Sequence, residues 1–367
     1  MWRYANPVAI DFGAGALSRL AEALRGRTYC LVTYAEPYFA ALAARISALA
    51  GAPVLTIDGV AANPSFHMLG ECCARYAGAP SVPEAIVALG GGSVLDAAKV
   101  LAAASGDFAR VRRHLETGEG GLHAVPLIAI PTTAGTGSDV TCWATVWDTD
   151  GGKKHSLELP DLFPERALID PELMQGLPRG LTISTGLDAL SHALESLWNR
   201  NANPVSTNHA IAAARIILDV LPAVAENPGD LGLRTRMAQG ALFAGLAFSN
   251  TRTALAHSLS YPITLRHGVP HGLACSFSLP LVMRGAIGAS DACDAALRGI
   301  FGADLEAAAV RLEDFLTGLG VSVDAADYGV GGREWRALVD LGLDGQRGRN
   351  FIGSRTRILE ALGEALG

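Results

Sequence analysis

Short apolar, β-branched runs alternate with longer amphipathic ones through the first half of the chain. TYCLVTY from Thr28, PVLTID from Pro53, EAIVALGGGS over 84–93 and PLIAIPTT over 126–133 read as strands. Helical stretches over 36–50 and after Pro64 lie between them. This βαβ rhythm predicts a parallel sheet covered by helices. Extended segments near 141–147 and 167–170 lead into a stretch containing Pro171 and Pro178. Beyond about Leu181 the period becomes helical, in Ala- and Leu-rich segments over 185–198, 206–221, 233–248 and 305–319, broken by ENPGD and YPITLRHGVPHG. The expected architecture is an α/β domain over 1–181 followed by an all-α domain over 182–367.

Length and charge narrow the classes. A chain of 367 residues is long for one core, so two domains with room for a cleft are expected. Half the residues are apolar and 18% are charged, which excludes a disordered chain. The net charge of -7, from 29 Lys and Arg against 36 Asp and Glu, argues against general nucleic-acid or anionic-membrane binding. A local basic group can still hold one small anion. The six cysteines include no Cys-x-x-Cys pair and read as reduced core thiols. With neither a leader-like start nor about 18 uninterrupted apolar residues, a soluble, cytoplasmic protein is expected.

The chemistry-bearing residues form two groups. Gly90, Gly91 and Gly92 follow an apolar strand, and a helix begins over 93–99. Absent Cβ atoms let backbone N–H groups approach a diphosphate at a helix N-terminus. A plain tight turn would look the same, and the full G-x-G-x-x-G fingerprint is missing. A second strand end carries PTTAGTGSD over 131–139, where doubly wound sheets bind ligands. In the helical half, GLDALSHALES puts Asp188 and His192 four residues apart on one helix face, a spacing that can chelate a metal. His257 and His271, around Pro262 and Pro270, can supply two more ligands. One carboxylate and three neutral imidazoles would leave a divalent ion room for a substrate oxygen. The alternative is Asp188 as a helix-terminal charge beside ordinary hydrogen-bonded helix histidines; Glu195, three residues after His192, is open to either a structural or a participating role.

GGGSVLDAAK, PTTAGTGSDVT, GLDALSHALES and the segment from His257 to His271 ending in PHG, in this order, resemble the iron-containing, or group III, alcohol dehydrogenase family. The resemblance implies a Rossmann-like dinucleotide-binding domain, a helical metal-binding domain in the dehydroquinate-synthase-like arrangement, an active site in the cleft between them, and a homodimer. It implies Asp188, His192, His257 and His271 as ligands of ferrous iron or zinc. It implies Gly91, Gly92, Ser93 and Asp96 for the pyrophosphate and ribose, Thr132, Thr133 and Ser138 on the second cofactor loop, and Lys154 at a cofactor ribose.

Three departures from the family pattern matter. Tyr261 stands where many relatives carry a histidine assigned to proton transfer; a phenol, with a reference pKa of about 10, is a poor base near neutrality. Tyr34 stands where NAD-selective relatives carry an aspartate, so NADPH becomes tolerable beside NADH. Arg252 precedes the third ligand, where small residues are common, and with Thr253 suggests recognition of an anionic group, although composition alone favours an ordinary Arg–carboxylate pair at a helix end. Arg266 and His267 are further anion-contact candidates, and His267 is with Tyr261 a candidate catalytic side chain. SNTRTALAHSLSYP with RHGVPHGLACSF looks like the phosphonate-metabolism subgroup. The expected reaction is reduction of phosphonoacetaldehyde to 2-hydroxyethylphosphonate by hydride transfer to a metal-bound carbonyl. Rival readings are another small aldehyde, alcohol or polyol, a redox-neutral cyclase, and a non-catalytic metal- or nucleotide-binding protein.

Overall fold

The computed structural model describes residues 1–119 and 121–365. Its contacts divide the chain into two units, Asn6–Gly176 and Leu177–Gly367 joined by Met1–Ala5. The boundary lies slightly earlier than the period change near Leu181 suggests. The reason is Arg234, buried in the helical unit, whose guanidinium donates to the Leu177 carbonyl and the Thr182 hydroxyl, both at 2.9 Å. The first residues join the helical unit because Tyr4 donates to the Leu246 carbonyl and the Ala5 N–H to Asn250 Oδ1.

The first unit is built on a six-stranded sheet, all of its pairings parallel. The strands are β1 (Ala9–Phe12), β2 (Tyr29–Val32), β3 (Leu55–Ile57), β4 (Ala85–Gly90), β5 (Leu127–Pro131) and β8 (Arg166–Ile169), in the order β1-β8-β5-β4-β2-β3. Between β5 and β8, β6 (Trp143–Asp148) and β7 (Lys153–Glu158) form an antiparallel hairpin. The helices are α1 (Leu20–Leu24), α2 (Pro37–Ala50), α3 (Phe66–Ala77), α4 (Gly92–Ala104) and α5 (Phe108–Thr117).

A strand's period of two sorts β4 between two cores. Ala85, Val87 and Leu89 join Leu20 of α1 and Ile46 of α2 on one side. Ile86 and Ala88 join Leu69 of α3 and Leu101 of α4 on the other. The register pairs Gly90 with Pro131, so the glycine turn and the threonine loop leave the sheet side by side. The apolar runs mark β2 to β5 to within a few residues. The strands not foreseen are β1, an edge strand, and β7, whose KKHSLE is mostly polar and pairs only within the hairpin.

The second unit is helical: α6 (Arg179–Leu197), α7 (Pro204–Glu226), α8 (Leu231–Thr251), α9 (Leu255–His267), α10 (His271–Ser276), α11 (Leu279–Ala286), α12 (Asp291–Phe301), α13 (Leu305–Gly318), α14 (Gly332–Asp344) and α15 (Arg355–Ala365). α6 is the central element, packed against α7, α8 and α10 and buried along nearly all of its second half. α7 is long and apolar enough to cross a membrane by length and composition alone. It begins in a capping box of Asn203 with Ser206 and packs on α6 and α8, the position of a core helix. All six cysteines are buried free thiols.

Candidate active site

At the carboxyl ends of the strands, Gly91 caps α4 with extended backbone (φ -78°), so the triplet is not a left-handed turn. A Cβ on Gly92 would strike the Thr136 side chain, and one on Gly91 would press on Thr133. Glycine is needed because the threonine loop lies directly on the helix start. Tyr34, after β2, sits against Gly90 and Gly91, and Ser93 Oγ accepts from the Asn63 N–H. Thr132 donates its N–H to the Gly90 carbonyl. The sheet thus gathers Tyr34, Gly91, Gly92, Ser93, Thr132 and Thr133 at one end.

Asp96 and Ser138 also have a structural task. Asp96 Oδ1 accepts from Ser138 Oγ at 2.7 Å and Oδ2 from the Thr145 N–H at 2.9 Å. Lys99 Nζ, fully buried, donates to Ser138 Oγ and to the carbonyls of Thr141 and Trp143. Burial lowers the Lys99 pKa to about 8 despite the opposing pull of Asp96. Burial raises Asp139 to about 6. Lys154 lies on β7 with its ammonium 5.8 Å from the Trp147 ring centre. Nothing in the motif patterns singled out Lys99 as the clamp on this loop.

In the helical unit, α6 carries Asp188 and His192 one turn apart, both buried. α9 supplies His257 from its first turn, and α10 starts at His271. A Cβ on Gly272 would strike the Ser184 carbonyl, so glycine there is what lets α10 lie on α6. Asp188 Oδ1 then stands 3.5, 3.8 and 4.0 Å from the Nε2 atoms of His257, His192 and His271. Asp188 Oδ1 and His257 Nε2 are buried and find no hydrogen-bond partner among the described residues. Such atoms are costly to leave bare. Their separations exceed hydrogen bonds and suit donors converging on one ion, so the residues fit a divalent metal. Burial pushes the Asp188 carboxyl up, but the rings of His192, His271 and His257 outweigh it and hold it below the usual carboxylate range.

Glu195 takes the structural role. Its oxygens accept the N–H groups of Ala254 and Ala256, and its Oε2 lies 2.7 Å from His257 Nδ1. A carboxylate there keeps the proton on Nδ1 and turns the Nε2 lone pair towards Asp188. Cys275, one turn after His271, joins the cluster with Sγ 3.6 Å from His271 Nε2. The potential donor atoms of Asp188, His257, His271 and Cys275 all lie within 4.8 Å of one another. The i,i+4 spacing from His271 was the available signal for it.

The remaining candidates divide. Tyr261 is at the cluster, its ring 5.9 Å from that of His271 and within 9° of parallel. Thr253 is buried, on the segment between α8 and α9. Arg252 caps α8 with φ 65°, an unusual conformation for a residue with a Cβ, and its side chain is exposed. Arg266 and His267 are not brought to the cluster: both turn to Glu334, at 3.7 and 3.2 Å. The helix explains this, since α9 carries them to its last turn, about 15 Å of rise from His257.

Comparison with known proteins gives two family-model matches: iron-containing alcohol dehydrogenase over residues 7–171, and the C-terminal domain of the Fe-containing alcohol dehydrogenase family over residues 182–364. Among curated proteins, the NAD-dependent methanol dehydrogenase of Bacillus methanolicus is 38% identical over 54% of this chain and 52% of its own. The phosphonoacetaldehyde reductase of Streptomyces viridochromogenes is 36% identical over 66% of both chains. The chain therefore spans between about half and two thirds of these relatives. Among solved structures, sulfoacetaldehyde reductase from Bifidobacterium kashiwanohense in complex with NAD+ superposes with a TM-score of 0.90 at 30% identity, covering 100% of this chain and 97% of that one.

Proposed function

The chain belongs to the iron-containing alcohol dehydrogenase family, and on that premise we propose that it is a metal-dependent, nicotinamide-linked reductase of phosphonoacetaldehyde, forming 2-hydroxyethylphosphonate. The observation that carries the reading is Asp188 Oδ1, buried without a hydrogen bond among three imidazole nitrogens. Bound there, ferrous iron or zinc polarises a carbonyl, and a reduced nicotinamide supplies the hydride. Everything else is positioning by the chain. Glu195 holds the His257 tautomer, Gly272 lets His271 reach Asp188, and Tyr261 offers a hydroxyl beside His271. The glycine and threonine loops receive the pyrophosphate, with Lys154, Ser93 and Asp96 towards the ribose. Tyr34, in place of a carboxylate, admits NADPH as well as NADH. Arg252 and Thr253 serve the anionic end of the substrate. The protein acts in this reading as a cytoplasmic homodimer; six free thiols support a reducing compartment.

A second reading, reduction of a neutral small aldehyde, is favoured by one observation: Arg266 and His267 are engaged by Glu334. The experiment is an assay of protein reconstituted with iron or zinc, offering phosphonoacetaldehyde or propanal with NADPH or NADH. One nicotinamide oxidised per phosphonoacetaldehyde is expected, at a higher kcat/KM than for propanal. No turnover of any aldehyde after loading with either metal sinks the proposal; preference for propanal leaves the second reading.

A further inference from the structure

Arg347 precedes the short turn Gly348–Asn350 and belongs to no motif. Its Nη1 donates to Thr253 Oγ1 at 2.5 Å. Its guanidinium carbon lies 5.3 Å from the centre of the Tyr261 ring, the same ring that stacks on His271. Other half-buried arginines answer carboxylates, as Arg166 does Asp11 and Arg284 does Glu313. Among the described residues no carboxylate pairs with Arg347, and its Nε and Nη2 donate to no protein atom. A neutral hydroxyl and an aromatic face hold a guanidinium without cancelling its charge.

The anchor is itself rigid. Three asparagine amides hold three consecutive carbonyls: Asn201 that of Thr251, Asn199 that of Arg252 and Asn350 that of Thr253, at 2.9–3.1 Å. Arg252, between the anchored neighbours, is kept at φ 65° and ψ 175°, a conformation that persists only where its surroundings over-determine it. This segment fixes Thr253, and Thr253 aims Arg347.

We infer that Arg347 is the specificity-determining residue for an anionic aldehyde: its guanidinium binds the oxyanion group, phosphonate or sulfonate, while the carbonyl is presented to the Asp188, His257 and His271 cluster. The inference rests on the aldehyde-reductase reading and moves the principal anion contact from Arg252 to Arg347. An uncompensated planar fork recognises tetrahedral oxyanions through two N–H donors, which a neutral substrate cannot exploit.

The test uses the metal-loaded holoenzyme and the variants Arg347→Met and Arg347→Lys, with phosphonoacetaldehyde, sulfoacetaldehyde and propanal as substrates. Arg347→Met is expected to raise the KM ratio of an anionic aldehyde to propanal by at least about 30-fold, the usual scale for deleting one member of a hydrogen-bonded charge pair. Arg347→Lys keeps the charge but not the fork and falls between. The larger of the two anionic losses identifies the oxyanion served. Equal losses on all three substrates, or an unchanged ratio, overturn the inference. If the Met variant does not fold, Thr253→Val replaces it, expected to raise the same ratio several-fold. If wild type reduces no aldehyde, the reductase reading fails, and calorimetric titration with ethylphosphonate and ethanesulfonate decides Arg347 separately. Binding to wild type that is lost in Arg347→Met supports the anion site; no binding to wild type, or equal binding to both, refutes it.

Discussion

Two buried polar clusters, one in each unit, differ in a telling way. In the sheet unit, Lys99, Asp96, Ser138, Thr141, Trp143 and Thr145 hydrogen-bond to one another, with the Lys99 ammonium and the Ser138 hydroxyl both finding oxygens inside the cluster. In the helical unit, Asp188 Oδ1 and His257 Nε2 face each other and find no hydrogen bond among the described residues. A network closed on itself is scaffold; one left open in the interior is built for something that arrives later. The first cluster therefore shapes a loop, and the second is left open to a ligand.

The sharpest way to break this contrast is Asp188→Ala. Metal content, measured by plasma mass spectrometry after reconstitution, is expected to fall from one ion per chain to trace, with activity down by about three orders of magnitude or more, since Lewis-acid assistance is lost with the ion. Full metal occupancy would mean that the open cluster is not the site. Next in size is Lys99→Met on the closed side. Leaving buried oxygens unanswered should cost about 3–5 kcal/mol in denaturant unfolding, while metal retention stays at the wild-type level. A stable Lys99→Met variant would deny the network its scaffold role.

Glu195→Gln tests the link between scaffold and ligand. The amide can still bridge to the helix start, but it no longer favours the His257 tautomer, and metal affinity is expected to drop about 10–100-fold. Competition against a fluorescent chelator reads this directly. The remaining test concerns pH. Burial raises the Asp139 carboxyl to about 6, so the folded chain keeps a proton that the unfolded chain releases near the ordinary 3.8. Stability from this group is thus greatest below that window and declines as pH climbs through it, by no more than about 3 kcal/mol. Asp139→Asn should flatten that decline in urea titrations between about pH 4 and 6; an unchanged slope would remove Asp139 from the account.

Much of this molecule was legible before its structure. The apolar runs located β2 to β5, and the helical period located α6 to α8 because side-chain burial repeats with the backbone itself. The Asp188 and His192 pair was readable for the same reason: four residues on a helix are neighbours whatever surrounds them. β7 was not readable, because a hairpin outside the main sheet needs little apolar alternation. Arg266 and His267 looked close to the third ligand in sequence, yet the rise of α9 carries them to Glu334.

Residue order alone carried the α/β-then-helical succession, the two loops at strand ends and the Asp188 and His192 pair, each set by neighbours a few residues apart, while His257 and His271 entered as candidates from a distant segment. It took the folded chain to set Glu195 against His257, to bring Cys275 to the cluster, and to lay Arg347 over Tyr261 with no acid among the described residues to answer it. Those choices turn on how closely distant backbones approach, as Gly272 does Ser184, and on which charges are left unpaired afterwards. Neither quantity is written in any local pattern.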